Sequence, residues 1–190
     1  RRLAPDCTYE VWGSDVDKES VALANNGVYL RNEIKEVPLL YLENHWARGT
    51  GDIAEYVKAK KTIKDQTKFF VANLLDFSKE LNGQKFDVVF CRNVFIYFTA
   101  DQVKKITSNL LNHVHTHGYF FIGISESLYG MSLPVQSMGP SIYRHKVEAP
   151  KSEVSAPSFA SASRQSVSQT NAPAVPAPPP IPDVLRVLCV

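Results

Sequence analysis

The sequence predicts an α/β fold, because apolar runs without a helical period alternate with a stretch that has one. The clearest run is FDVVFC at residues 86–91, whose β-branched and aromatic side chains are typical of a parallel strand buried on both faces. Residues 68–75 and 119–124 form further runs of this kind. Residues 100–114 instead repeat apolar side chains at helical spacing behind a Thr-Ala-Asp-Gln capping box. This alternation favours a mostly parallel sheet packed against helices.

The start of the chain adds a short strand and a helix. Residues 9–14 predict the strand, and the sequence Ser-Asp-Val-Asp lies at its carboxyl end. Residues 18–25 have the composition of a helix that ends at Asn-Asn-Gly. Asp17 is well placed to cap this helix, which leaves Asp15 for a ligand. The alternative is that both aspartates simply cap the helix and neither binds a ligand.

Residues 38–68 interrupt the strand and helix alternation with short pieces broken at Gly49-Thr50-Gly51, which predicts a small inserted antiparallel β-subdomain. An inserted hairpin with an open edge allows a partner peptide to add as a strand. Its lysines also fit a simpler interpretation, a solvated face that protects an edge strand from pairing. These lysines are Lys58, Lys60, Lys61, Lys64 and Lys68.

The last part of the chain changes in composition. We assign residues 1–147 to one domain, with residues 141–146 as its final edge strand. Residues 148–183 are rich in Pro, Ala and Ser, which predicts a disordered linker. The apolar run VLRVLCV at residues 184–190 follows, and we expect it to be the first strand of a further domain.

Composition excludes several kinds of partner. The formal net charge is only +2, too small to indicate nucleic-acid binding. No apolar run approaches the length of a membrane span. The cysteines at positions 7, 91 and 189 form no Cys-x-x-Cys pair, and no Cys, Asp or Glu joins the His-x-His-x-His cluster at 113–117, so we expect no metal site. These features predict a cytoplasmic protein with no nucleic-acid partner and no membrane insertion.

Polar side chains follow the carboxyl ends of three predicted strands, where ligands bind in open parallel α/β sheets. They are Asp15, Asn73 and the pair Arg92-Asn93. A carboxylate accepts hydrogen bonds from both ribose hydroxyls, and an amide matches the Watson–Crick edge of adenine. Asn73 also fits a residue that only starts a turn, and the nearby Tyr97 fits a core aromatic.

Six motifs in order resemble the chemotaxis receptor methyltransferases, which are S-adenosylmethionine-dependent protein-glutamate O-methyltransferases. The resemblance extends over residues 9–146, and CRN followed by IYF is its most specific part. It implies a Rossmann-like methyltransferase sheet with an antiparallel β-subdomain inserted. The motifs are SDVD (14–17), GVY (27–29), RGTG (48–51), ANLL (72–75), FDVVFCRNVFIYF (86–98) and GISESL (123–128).

The same resemblance implies how the cofactor S-adenosylmethionine, and its product S-adenosylhomocysteine, are bound. Asp15 would hold the ribose, Arg92 would hold a carboxylate, and Tyr97 would lie beside the reacting methyl group. Arg92 and Tyr97 are thus the implied catalytic residues. The residues implied to line the cofactor pocket are Asp15, Asn73, Leu74, Arg92 and Asn93.

The resemblance further implies a partner, because the β-subdomain of this family docks on the cytoplasmic domains of chemotaxis receptors. The implied docking region is Arg48-Gly49-Thr50-Gly51. The alternative function is a methyltransferase-like domain that docks on receptors without catalysis. A nicotinamide-dependent oxidoreductase is disfavoured, because the sequence lacks the dinucleotide fingerprint.

Parts of the family pattern have no counterpart here: the N-terminal helical domain, the first sheet strand with its Gly-rich turn, and a Gly-Glu-Glu-Pro-Tyr segment. We therefore expect the chain alone to be an incomplete catalyst. We also expect two open sheet edges where the first strand would lie, next to the strands that end at Asp15 and Arg92. The terminal VLRVLCV is similar to the first strand of a receiver domain, as in receiver-linked methylesterases.

Overall fold

A computed structural model describes residues 8–146 and 184–190, so the predicted linker over 148–183 lies outside the described residues. Short 3-10 helices cover Gly51–Ile53, Leu74–Lys79 and Phe95–Tyr97. The α-helices are α1 (Lys18–Asn26), α2 (Leu39–Leu42), α3 (Lys61–Lys64) and α4 (Ala100–Leu111). The strands are β1 (Thr8–Asp15), β2 (Val28–Leu30), β3 (Trp46–Arg48), β4 (Tyr56–Ala59), β5 (Thr67–Val71), β6 (Phe86–Cys91), β7 (Val114–Ile122), β8 (Val135–Gly139), β9 (Ile142–His145) and β10 (Val184–Cys189).

The main sheet of the described residues has seven strands in the order β5-β1-β10-β6-β7-β9-β8. The first four neighbouring pairs, from β5 to β7, are parallel. The pairs β7–β9 and β9–β8 are antiparallel. Helix α1 contacts β1 and β5, and α4 contacts β7. The predicted α/β fold with a mostly parallel sheet is confirmed.

The position of β10 corrects the prediction for residues 184–190, which we expected to begin a further domain. The strand instead lies inside the main sheet, parallel to β1 on one side and to β6 on the other. It fills the gap that we expected between the strands ending at Asp15 and Cys91. The prediction of two open edges at this gap is therefore wrong.

Contacts made by β10 account for this position. Leu188 is fully buried in the core, and the Arg186 amide donates a hydrogen bond of 2.8 Å to the Asp87 carboxylate of β6. The Arg186 guanidinium also lies 3.5 Å from the Glu10 carboxylate of β1. An apolar strand of this kind fits any parallel slot that buries both faces, so its sequence alone does not identify the sheet it joins.

A second, three-stranded sheet in the order β2-β4-β3 is antiparallel and confirms the predicted β-subdomain. The subdomain begins earlier than residue 38, because β2 pairs with β4. Strand β2 has three residues and follows α1 directly after the left-handed cap Gly27, whose φ is +67°. A strand this short shows no alternation that sequence reasoning can detect.

Helix α4 supplies much of the main core. Its predicted capping box is confirmed: the Thr99 hydroxyl accepts from the Gln102 amide, and the Gln102 side chain accepts from the Thr99 amide at 2.9 Å. Val103, Ile106 and Leu110, at helical spacing, are buried against the sheet together with residues of β6, β7 and β10.

Two element boundaries differ from the sequence prediction. Helix α4 ends at Leu111, before residue 114, and β7 already begins at Val114. His115 and His117 therefore lie on the exposed start of a strand and not at a helix terminus. The predicted edge strand at 141–146 is present as β9, but β8 lies outside it, because VQSMG has too few apolar residues to indicate a strand.

Candidate functional site

The carboxyl ends of β1, β5 and β6 lie along one edge of the main sheet, because these strands run parallel. Asp15 is the last residue of β1, Asn73 follows β5, and Arg92 and Asn93 follow β6. Strand β10 lies between β1 and β6 and ends at the same edge. The fold thus brings the predicted polar residues to one side of the molecule, the side where parallel sheets bind ligands.

The two aspartates after β1 have different roles. The Asp17 carboxylate caps α1 by accepting hydrogen bonds from the amides of Glu19 (3.2 Å) and Ser20 (2.9 Å). The Ser20 hydroxyl, followed by these amides, lowers the pKa of Asp17. Asp15 accepts one bond, from the Asp17 amide at 2.9 Å, and makes no contact with the α1 amides. Asp17 is therefore the capping residue of α1, and Asp15 supports this terminus only through the amide of the N-cap residue.

Asp15 is exposed and borders a cavity of about 260 Å³ at the sheet edge. Its oxygen Oδ2 has no hydrogen bond within the described residues, so it is available to a ligand. The cavity is lined by the ends of β1 and β10, by Phe69 of β5, and by Ser20, Val21 and Ala24 of α1.

Asn73 begins the 3-10 helix after β5. Its Oδ1 accepts a hydrogen bond of 3.0 Å from the Leu75 amide, which confirms the interpretation that Asn73 starts the turn. Its amide nitrogen has no partner in the described part of the chain and remains available as a donor. Leu74 is half-buried and packs on the main core. The turn role and a ligand role are thus compatible, since they use different atoms.

The loop after β6 presents three of the predicted residues to solvent. Arg92 and Asn93 are exposed, and their side chains make no hydrogen bond or ion pair within the described residues. Asn93 has a φ of +59°, in the left-handed region that few residues other than Gly adopt. Tyr97 is 78% exposed, so the interpretation as a core aromatic is wrong.

Glu126 is a residue of this edge whose role sequence reasoning missed. It follows β7, and its carboxylate accepts hydrogen bonds from three backbone amides, those of Gly123 (2.6 Å), Phe95 (2.8 Å) and Asn93 (3.1 Å). The available signal was Ser-Glu-Ser directly after a buried strand, which places a carboxylate at the same edge as the other polar residues.

Cys91, the last residue of β6, is not a candidate nucleophile. Its side chain is fully buried, and burial, with a smaller contribution from the Glu126 charge, raises the pKa of its thiol to about 12. A reactive cysteine needs the thiolate, which this environment disfavours near neutral pH.

A second cavity, of about 670 Å³, lies beside the small sheet. It is bounded by the segment from Arg31 to Glu43 and by Trp46, Arg48 and Val57 of the small sheet. None of the residues predicted to bind the cofactor lines it. We therefore assign the site by its polar groups, because ligand recognition depends on convergent donors and acceptors as well as volume.

The described residues offer neither a metal site nor a membrane-spanning helix. They contain no cluster of three His, Cys, Asp or Glu side chains suited to a metal ion. Within residues 8–146 and 184–190, every helix is too short or too polar to traverse a bilayer.

Residues 2–143 match the family described as CheR methyltransferase, SAM binding domain. The chain belongs to this family. Similar proteins include the chemotaxis protein methyltransferases of Salmonella typhimurium and Escherichia coli, each 29% identical over 135 residues, or 71% of this chain. Chemotaxis protein methyltransferase 2 of Pseudomonas aeruginosa is 28% identical over 138 residues, 73% of this chain. These matches cover 46%, 47% and 49% of the respective relatives, so the chain spans about half of their length.

The cofactor of this CheR domain is S-adenosylmethionine, as the family description states. The polar groups at the sheet edge suit its chemistry: the Asp15 carboxylate matches ribose hydroxyls, the Asn73 amide a purine edge, and the Arg92 guanidinium a carboxylate. The cavity beside Asp15 provides space next to the first of these groups. The residues present therefore fit the cofactor.

Proposed function

We propose that this CheR-family chain is part of a protein-glutamate O-methyltransferase that modifies the cytoplasmic domains of chemotaxis receptors during signal adaptation. The observation that carries the proposal is the convergence of Asp15, Asn73, Arg92, Asn93 and Tyr97 at the carboxyl edge of the main sheet. The reaction takes place in the cytoplasm, where the receptor domains lie.

Different residues of this edge bind the cofactor and orient the glutamate side chain. S-adenosylmethionine supplies an activated methyl group on a sulfonium. Asp15, Asn73 and Leu74 bind the nucleoside part, and Arg92 with Asn93 binds the polar end of the cofactor. Tyr97, which is exposed at this edge, orients the incoming glutamate side chain and shields it from water.

The absence of a candidate base among these residues is consistent with the chemistry. A glutamate side chain has a reference pKa of about 4.3, so it is already an ionised nucleophile near neutral pH. The protein therefore needs to align the carboxylate and not to deprotonate it. Alignment of this kind is worth several kcal/mol of activation free energy.

Methyl transfer from tritiated S-adenosylmethionine to a purified receptor cytoplasmic domain tests the proposal in the full-length protein. We expect label in the receptor that is released as methanol at alkaline pH, because glutamate methyl esters hydrolyse readily in base. Binding of the receptor without any label transfer would favour the non-catalytic docking domain. Label that is stable to base would contradict O-methylation of glutamate.

We further propose that the β-subdomain docks on the receptor, with Arg48-Gly49-Thr50-Gly51 at the contact. The support is its open geometry: β2 and β3 are the two edges of the small sheet, and either edge allows strand addition.

The lysines of the β-subdomain divide into two groups. Lys61, Lys64 and Lys68 bind groups of this chain, whereas Lys58 and Lys60 are exposed and have no partner within the described residues.

Deletion of residues 49–51 tests the docking site, since residues 52–55 remain to connect β3 to β4. We expect weaker association with receptor cytoplasmic domains in a pull-down or by calorimetry, and an unchanged affinity for S-adenosylhomocysteine. The matched control is Gln136→Ala, at an exposed position of β8 in the main sheet, outside the proposed contact. Loss of cofactor affinity with normal receptor association would reverse the assignment.

A further inference from the structure

Glu126 ties two segments of the carboxyl edge together. Its Oε2 accepts from the amides of Gly123 and Asn93, and its Oε1 accepts from the amide of Phe95. Gly123 directly follows β7, whereas Asn93 and Phe95 belong to the loop after β6. One carboxylate thus joins the ends of two neighbouring strands at the candidate site.

The loop after β6 makes two backbone hydrogen bonds of its own, from Tyr97 to Val94 and from Phe98 to Phe95, both 3.1 Å. Val94 and Phe98 also pack against the core. Asn93 is held at a positive φ, and the 3-10 helix that follows has a single turn, Phe95–Tyr97. The Phe95 ring is buried and anchors one side of that turn. The Val94 side chain at the N-cap is apolar and provides no cap. The Phe95 amide, at the first position of this helix, has no partner within the helix, and the Glu126 carboxylate accepts it.

Gly123 shows how closely these segments approach each other. A Cβ built on Gly123 would lie 2.5 Å from Asn93 Oδ1, 2.7 Å from Glu126 Oε2 and 2.9 Å from the Asn93 amide nitrogen. Only glycine leaves room for the Glu126 carboxylate to reach the Asn93 amide here. The lack of space for a side chain at position 123 and the three hydrogen bonds to Glu126 both show that the segments after β6 and β7 are in close contact.

We propose that Glu126 is a positioning residue that fixes the loop carrying Arg92, Asn93 and Tyr97 in the geometry needed for cofactor binding and methyl transfer. The proposal rests on the function proposed above. Glu126 acts through the backbone, since its carboxylate accepts hydrogen bonds from backbone amides. Hydrogen bonds to a charged acceptor are stronger than those between neutral groups, which suits a single side chain that holds three amides.

Glu126→Gln in the full-length protein tests the proposal. Glutamine keeps the size of the side chain, but its NH₂ group would face an amide donor in place of an acceptor oxygen. We expect kcat for methyl transfer to fall roughly 10- to 100-fold, since a displacement of about 1 Å has an effect of this order. The affinity for S-adenosylhomocysteine should fall as well, while KM for the receptor stays unchanged. The matched control is Glu80→Gln, at an exposed position in another part of the chain.

Amide hydrogen exchange separates a positioning role from a purely structural one. In Glu126→Gln we expect the amides of Asn93, Phe95 and Gly123 to lose protection, while those of Ile106 and Leu110 in α4 keep it. Lost protection with wild-type kcat and cofactor affinity per folded molecule would overturn the positioning role. Unchanged protection of the three amides would overturn the geometry itself.

A second variant and the behaviour of the wild-type protein distinguish a failure of the proposed function from a failure of the proposed role of Glu126. If Glu126→Gln does not fold by near-ultraviolet circular dichroism, Glu126→Asp takes its place; it keeps the charge but is too short to hold all three amides, so the same losses are expected. A wild-type protein that neither binds S-adenosylhomocysteine nor transfers methyl groups would refute the proposed function and this proposal with it. A wild-type protein that does both, with variants equal to it, would refute only the role of Glu126.

Discussion

Leu188→Ala is expected to lower the free energy of unfolding by about 2–5 kcal/mol, the usual range for truncating a fully buried leucine. Leu188 is inaccessible to solvent in β10, the strand between β1 and β6, so its removal leaves a void at the centre of the main sheet. A loss of this size is a large fraction of the 5–15 kcal/mol that typically stabilises a domain. Urea unfolding monitored by circular dichroism measures it, and Leu23→Ala on α1, 46% exposed, is the control with a smaller expected loss.

Hydrogen exchange with mass spectrometry locates the effect of Leu188→Ala. Because β10 pairs with both neighbours, the peptides of β1 and β6 should exchange faster along with residues 184–190. If faster exchange were confined to residues 184–190, β10 would belong to a separate unit, as the sequence first indicated.

Asp15→Ala and Asn73→Asp are each expected to weaken S-adenosylhomocysteine binding by about 1–3 kcal/mol, because each removes a partner that a desolvated polar group of the ligand needs. Asn73→Asp is preferable to alanine, since aspartate keeps an oxygen that accepts the Leu75 amide and replaces the donor nitrogen with an anionic acceptor. Calorimetry on the full-length protein measures both affinities. Unchanged affinity in both variants would contradict the site assignment.

Asp17→Ala is the control for Asp15, two residues away on the same turn. It should leave cofactor affinity unchanged and alter stability in a pH-dependent way. The lowered pKa of Asp17 means that its stabilisation is present above the ordinary value of 3.8 and is lost as the pH falls through the lower folded value. Asp17→Ala should therefore reduce stability at neutral pH and have little effect in strong acid.

The sequence predicted the elements whose patterns are local and strong. Strand β6 is apolar except for Asp87, and α4 has a capping box with apolar residues at helical spacing, so both were placed correctly. Prediction from the sequence failed where the pattern of apolar residues was short or ambiguous. Strand β2 has three residues and β8 is largely polar, so neither produces a period. The apolar pattern of β10 shows that it is buried but not which strands it pairs with.

The candidate site was predictable to the extent that it depends on strand ends. Parallel strands bring their carboxyl ends to one edge, so Asp15, Asn73 and Arg92 were found from their positions alone. Two of the three bonds of Glu126 were not predictable, because they join backbone amides 31 and 33 residues away in sequence. The exposure of Tyr97 was likewise undetermined, since an apolar stretch that ends in tyrosine fits a core position as well as a surface one.

The assignment of the cofactor site to the carboxyl edge of the main sheet can be tested by ultraviolet cross-linking of bound, radioactive S-adenosylmethionine, followed by peptide mapping of the full-length protein. We expect label in peptides that contain Asp15, Asn73 or the Arg92 to Tyr97 loop, and loss of that label when S-adenosylhomocysteine competes. Competable label confined to residues 31–48, around the larger cavity in the β-subdomain, would contradict it.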